Sequence, residues 1–164
     1  MKYYSKHLNA FSTTYLNDLR GAILASPYFA INNLNRDFIG TKGFSLVFQR
    51  SGSRVDPHID RSLRSYCKTV EPPATVSVLY VQVPTNLEGG ELVLRCHKKQ
   101  VGQIKPEANT LVYFQGDLTH SVNAVTSPGT RLSLVCEQYS LSETELADIP
   151  GFTLESRAVK SKIK

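Results

Sequence analysis

Cysteine is scarce in this chain: Cys67, Cys96 and Cys136 are three residues in 164, odd in number, widely spaced and without a CxxC pair. A disulfide-stapled fold is excluded, and the spacing argues against structural zinc or a redox dithiol, so the thiols are expected to be reduced. Long apolar runs are also missing. The longest uncharged ones, such as 75–83, fall far short of the roughly 18 residues a membrane helix requires, so neither a transmembrane segment nor a membrane partner is expected. The opening residues, MKYYSKHLNAFSTTYLNDL, have polar side chains where a secretion signal needs a continuous apolar stretch. The expected compartment is therefore the cytoplasm. An excess of charge of one sign is nearly absent from the body of the chain. The net charge is +5, but Arg157, Lys160, Lys162 and Lys164 supply four of those charges within the last eight residues. A phosphate-tracking groove needs several basic side chains outside such a tail, so no nucleic-acid partner is expected.

What is present fits one ordinary globular domain spanning 1–164. Hydrophobic residues at 41% and charged residues at 20% are neither a disordered nor a fibrous composition, and the length suffices to bury about two thirds of the unfolded surface. Leu8, Phe11, Tyr15, Leu16, Leu19 and Ile23 recur at intervals of three and four, which predicts an amphipathic helix over 8–25. Ser26 and Pro27 end it, and the stretch to Gly40 reads as turns. From Phe44 the texture changes to short runs rich in Val, Leu, Thr and aromatics: 44–49, 55–60, 75–83, 90–95, 100–104, 110–115, 120–125 and 130–139. Eight strands without intervening helices cannot form a parallel sheet, which leaves an antiparallel sandwich or barrel. The chain thus divides into a helical N-terminal support (1–43), a β core (44–139) and a C-terminal tail with a basic end (140–164). No internal repeat breaks this plan.

His58 and Asp60 stand two apart in VDPHID at the end of a predicted strand, so an imidazole and a carboxylate leave the same face. Taken alone, they read as a surface ion pair at least as readily as half of a metal site. A third ligand would complete a two-His-one-carboxylate set with open positions for substrate and oxygen on Fe(II). His120, at the start of a later strand, is the candidate. Arg131 follows on the next strand, TRLSLVCEQY, where Leu132 and Leu134 share one face and Arg131 and Ser133 the other. If Arg131 faces inward it must find an anion, and a carboxylate fits its planar fork; if it faces outward, a surface Asp or Glu suffices. His7 and His97 lack ligand spacing, and Asp117 reads as a turn former.

The segments VDPHID, ATVSVLYVQVPTNLEGGELVL, IKPEANTLVYFQGDLTHSVNAV and PGTRLSLV, in that order over 44–139, resemble Fe(II)- and 2-oxoglutarate-dependent dioxygenases of the prolyl-hydroxylase type. The resemblance implies a double-stranded β-helix, or jelly roll, and hence a mainly β (α+β) chain with the N-terminal helix packed on one sheet. It further implies that His58, Asp60 and His120 bind Fe(II), that Arg131 holds the distal carboxylate of 2-oxoglutarate, and that Ser133 and Tyr80 hydrogen-bond that carboxylate. Collagen-type prolyl 4-hydroxylases place a lysine where this chain has Arg131, whereas oxygen-sensing prolyl hydroxylases use arginine. The implied reaction is hydroxylation of an unactivated C–H by O2, with release of succinate and CO2 and with ascorbate as reductant. The implied substrate is a peptidyl residue, proline first. A free amino acid or small metabolite is the runner-up, and a non-catalytic jelly-roll binding module is the competitor from another class. The loop 61–73, with Arg61, Arg64 and Lys68 against Glu71, is too polar for core and reads as a lid over the iron or as a surface loop. Oligomeric state is left open.

Overall fold

The computed structural model describes residues 3–25, 36–41, 44–49 and 51–149, with 36–49 described by backbone alone. Its elements in chain order are β1 (Tyr4–Leu8), α1 (Thr13–Leu24), β2 (Arg36–Thr41), β3 (Phe44–Gln49), β4 (Val55–His58), a 3-10 turn (Ser62–Ser65), β5 (Thr75–Gln82), β6 (Leu92–Cys96), β7 (Lys99–Ile104), β8 (Thr110–Gln115), β9 (Thr119–Val122), β10 (Arg131–Gln138) and α2 (Glu143–Asp148). Two antiparallel sheets result, one ordered β1-β8-β5-β10-β3-β2 and the other β4-β9-β6-β7. From β3 to β10 the chain changes sheet at every connection except the β6–β7 hairpin, which is the winding of a jelly roll.

The period-two pattern of β8 shows why these sequences are strands. Thr110, Val112 and Phe114 are buried while Leu111, Tyr113 and Gln115 are only partly so. The inward set joins Val76, Val78 and Tyr80 of β5, Leu92 and Leu94 of β6, and Ile104 of β7 in the core between the sheets. Each fully buried aliphatic side chain there contributes roughly 1.5–3 kcal/mol of transfer free energy. β5 is buried on both faces, which explains why TVSVLYVQ reads as a near-continuous apolar run. Its outer face carries Leu79 and Val81, which join Leu132 and the α1 residues Ile23, Leu16 and Leu19 in a second cluster.

The N-terminal expectation requires correction. The helix covers Thr13–Leu24 rather than 8–25, because Ser12 caps it through Tyr15 N–H (3.2 Å) and residues 4–8 pair instead with β8. Asn109 clamps the junction: its backbone and side chain accept from Ala10 and Phe11, and its amide donates to the Phe11 carbonyl. Leu8, Phe11 and Tyr15, expected on the buried stripe, are exposed. Segment 1–43, expected to be helical, also supplies β2, where turns were expected up to Gly40. In 140–164, Ser142 forms a capping box with Glu145 that starts α2, and the basic end lies outside the described residues. No described helix is long and apolar enough to cross a membrane.

The packing face of α1 gives a direct test. Ile23→Ala should cost about 2–4 kcal/mol in urea denaturation and Leu24→Ala, one position round the helix, less than about 1 kcal/mol. Equal losses would mean that α1 is docked on a different face.

Candidate active site

Sheet register brings the first two candidate ligands together. β4 pairs with β9 so that His58 and His120 are direct cross-strand partners, and their ring centroids lie 4.3 Å apart. Asp60 lies just beyond the end of β4 and closes the set: Oδ1 is 3.3 Å from His58 Nε2 and Oδ2 is 3.4 Å from His120 Nε2. The donor atoms of all three residues fall within 4.8 Å of one another. Each imidazole is oriented from behind, His58 Nδ1 by the Asp56 carbonyl at 2.8 Å and His120 Nδ1 by the Leu118 carbonyl at 3.3 Å. A carbonyl only accepts, so each Nδ1 carries a hydrogen, and in the neutral imidazole each Nε2 is left as an acceptor facing the carboxylate.

Three acceptor groups converging on one point require a cation among them. Burial acts to raise the Asp60 pKa, but the hydrogen bonds and charges of His120 and His58 outweigh it and hold the carboxyl well below its usual range. Protons on the imidazoles satisfy that demand in one way and a divalent metal in another. The donor set, two imidazoles and one carboxylate with the other side open, fits Fe(II). Phe114, projecting from the opposite sheet, lies 5.0 Å from the His120 ring and walls the site.

Arg131 and Ser133 face the interior. Arg131 is 3% exposed, and among the described residues it has no ion-pair partner. Its guanidinium lies 5.3 Å from the Tyr80 ring centroid, and Nη1 donates to the Gly90 carbonyl at 2.5 Å. Burial lowers its pKa, against the raising effect of Tyr80 and Glu91. Among the described residues Nε has no hydrogen-bond partner, and the buried Ser133 and Thr110 hydroxyls are likewise unpartnered. Ser133 pairs with Tyr80, and Tyr80 pairs with Thr110, so the three sit abreast on β10, β5 and β8. A carboxylate has the acceptor positions that these donors would match.

The turn that presents the Gly90 carbonyl demands its glycines. Gly89 has φ +75°, and a Cβ there would stand 1.9 Å from the Ala124 carbonyl oxygen; Gly90 has φ +73°. Sequence reasoning missed this role of the Gly89-Gly90 pair, and it missed Thr110. The signal for Thr110 was its phase, since it shares an alternating face with Val112 and Phe114. Gln49 of β3 is the register partner of Arg131.

The loop 61–73 is not wholly polar, contrary to expectation: Leu63, Cys67 and Val70 are buried against Tyr139, Leu141 and Ile149. Arg64 donates from Nε and Nη2 to the Lys68 carbonyl (3.2 and 2.9 Å) and so braces the loop internally, while Arg61 is exposed.

Residues 44–136, more than half of the chain, match the family model described as the 2OG-Fe(II) oxygenase superfamily. The chain belongs to that superfamily. No curated protein matches it by sequence. Among solved structures, it is similar to a prolyl hydroxylase from Trichoplax adhaerens in complex with a hypoxia inducible factor oxygen degradation domain peptide fragment (TM-score 0.64, 13% identity, 90% of this chain and 87% of that one). It is also similar to an oxidoreductase of the 2OG-Fe(II) oxygenase family from Burkholderia pseudomallei (TM-score 0.62, 13% identity, 80% and 82%). A third similar structure is a Pseudomonas putida prolyl-4-hydroxylase (TM-score 0.60, 16% identity, 85% and 95%). The protein is thus a dioxygenase of jelly-roll fold, and its family implies Fe(II), 2-oxoglutarate and O2.

The unpartnered Ser133 hydroxyl yields a prediction that needs no turnover. Ser133→Ala in protein free of metal and cosubstrate should be neutral or stabilising by up to about 1 kcal/mol in urea, because it removes a buried, unsatisfied group. A loss above about 1 kcal/mol would mean that the hydroxyl already has a partner.

Proposed function

We propose that this dioxygenase hydroxylates an unactivated C–H of a peptidyl residue, proline first, releasing succinate and CO2, with ascorbate as reductant and in the cytoplasm. The observation that carries the reading is the asymmetry of the site. His120 and Arg131 are buried, whereas the His58 side chain is 40% exposed on β4, the edge strand of the four-stranded sheet. The cosubstrate end is therefore closed and the metal end is open along a strand edge, which suits an extended chain presenting one residue at a time. The Trichoplax structure, with its bound peptide fragment, supports the same choice. A near-neutral body and free cysteines are in keeping with an intracellular protein acting on a peptide.

The roles of the residues follow from their positions. Bound Fe(II), with 2-oxoglutarate and O2, supplies the oxidising chemistry. His58, Asp60 and His120 hold the metal as two neutral imidazoles and one carboxylate, leaving the remaining positions open. Arg131 clamps the distal carboxylate of the cosubstrate through its free Nε edge, and Ser133 donates to the same group. Burial raises the Tyr80 pKa, with Arg131 opposing, so Tyr80 stays a neutral phenol able to donate there as well. Phe114 and the Tyr80 ring exclude water from the space between. The loop carrying Arg61 and Arg64, which leaves directly from Asp60, would act as a lid that closes over the open end when substrate binds, with Arg64 bracing it through the Lys68 carbonyl.

Aerobic incubation with Fe(II), 2-oxoglutarate and ascorbate, followed by mass spectrometry of proline-containing peptides, tests the assignment. A peptide gaining one oxygen is expected, with the product lost in His58→Ala, Asp60→Ala and His120→Ala. Hydroxylation of a free metabolite but of no peptide would overturn the substrate class and keep the oxygenase. Arg131→Ala should raise the 2-oxoglutarate requirement by roughly 30-fold, or about 2 kcal/mol, through loss of a charge-assisted pair. An unchanged requirement in succinate-release assays would move the anchor elsewhere.

A further inference from the structure

Asp60 is the metal ligand that the sheet does not hold. The β4–β9 ladder ends at the His58–His120 pair, so the backbone of Asp60 receives no support from strand pairing. Two residues later the chain is fixed again. The Ser62 backbone N–H donates to the Tyr139 hydroxyl (3.1 Å), Ser62 Oγ donates to Glu137 Oε1 (2.7 Å), and the Tyr139 hydroxyl donates in turn to Glu137 Oε2. The result is a closed triangle in which each oxygen has a defined role. Burial and then Glu137 push the Tyr139 pKa above its ordinary value, so the phenol remains protonated and keeps its place in the triangle throughout the working pH range. Its ring is meanwhile seated against Leu63, Cys67 and Val70.

We propose that Tyr139 and Glu137 are positioning residues for the metal centre, holding Asp60 in ligating position through Ser62. The inference rests on the reading of His58, Asp60 and His120 as the metal ligands. β10 begins with Arg131 and Ser133 and ends at Gln138, so the element that faces the cosubstrate at one end anchors the carboxylate ligand at the other. A second tie on the same loop, Thr69 Oγ1 to Glu145 Oε1 at 3.1 Å, lies seven residues further along than Ser62 and should not govern Asp60. That difference separates positioning from general loop stability.

The test uses Mn(II) alone as probe, without 2-oxoglutarate or substrate, and reads its binding from the loss of the free-ion electron paramagnetic resonance signal. Tyr139→Phe, which keeps the buried ring, and Glu137→Gln should each weaken Mn(II) binding about tenfold, the equivalent of one hydrogen bond to a charged group. Thr69→Val should bind as the wild type does. Affinity within twofold of wild type in Tyr139→Phe and Glu137→Gln overturns the proposal. So does an equal weakening by Thr69→Val, which would mark the effect as loosening of the loop. Failure of the wild type to bind Mn(II) would instead reject the ligand set itself, and the proposal with it.

Discussion

A guanidinium enclosed between two sheets with no ion-pair partner among the described residues is costly, because taking an ion out of water carries a penalty of several kcal/mol that only a well-placed counter-charge offsets. Much of the architecture near Arg131 serves to reduce that cost. The Gly89-Gly90 turn adopts backbone angles closed to other residues so that a carbonyl can reach Nη1. The Tyr80 ring lies beside the charge, and the β10–β5 register shifts between Leu132 and Ser133, as ladders do where a side chain must be aimed. None of this supplies a full negative charge. Among the described residues the electrostatic arrangement around Arg131 is thus incomplete.

Such an arrangement needs apolar burial elsewhere to sustain it. The inter-sheet core of Val76, Val78, Leu92, Leu94, Ile104, Val112 and Phe114 occupies the same gap as the polar site, and α1 seals the outside of β5 and β10. β5 stands at the junction of the two. Its inward face changes from Val76 and Val78 to Tyr80, so one strand contributes aliphatic packing and then a phenol as it approaches the arginine. Strand alternation makes this possible without any insertion, since residues two apart share a face.

That alternation also accounts for how much could be read from the residues. Period two located all eight core strands, with boundaries within three residues of those observed, and placed Arg131 and Ser133 on the face opposite Leu132 and Leu134. His58, Asp60 and His120 were visible as residue types at strand ends. Their convergence depended on a pairing register that spacing does not encode. The N-terminal stretch misled because Leu8 and Phe11 extend the helical spacing of Thr13–Leu24 backward into residues that are not helical. Pairing with β8 and the Asn109 clamp are distant in sequence, and they outweigh local preference. The loop 61–73 misled because its four charged residues mask the apolar ones between them, three of which suffice to dock it.

The two ends of the site also differ in how they are held. His120 sits on β9 between β4 and β6, paired on both sides, and Arg131 and Ser133 sit on β10 between β3 and β5. These positions cannot move without breaking ladders. His58 lies on an edge strand, and Asp60 lies past the end of that strand. The ligands that face the open approach are therefore the ones with least support from the sheet, and side-chain bonds must supply what backbone pairing does not. Pro57 adds to this, because it gives β4 no N–H to offer at that position and so blunts the edge against pairing with another strand.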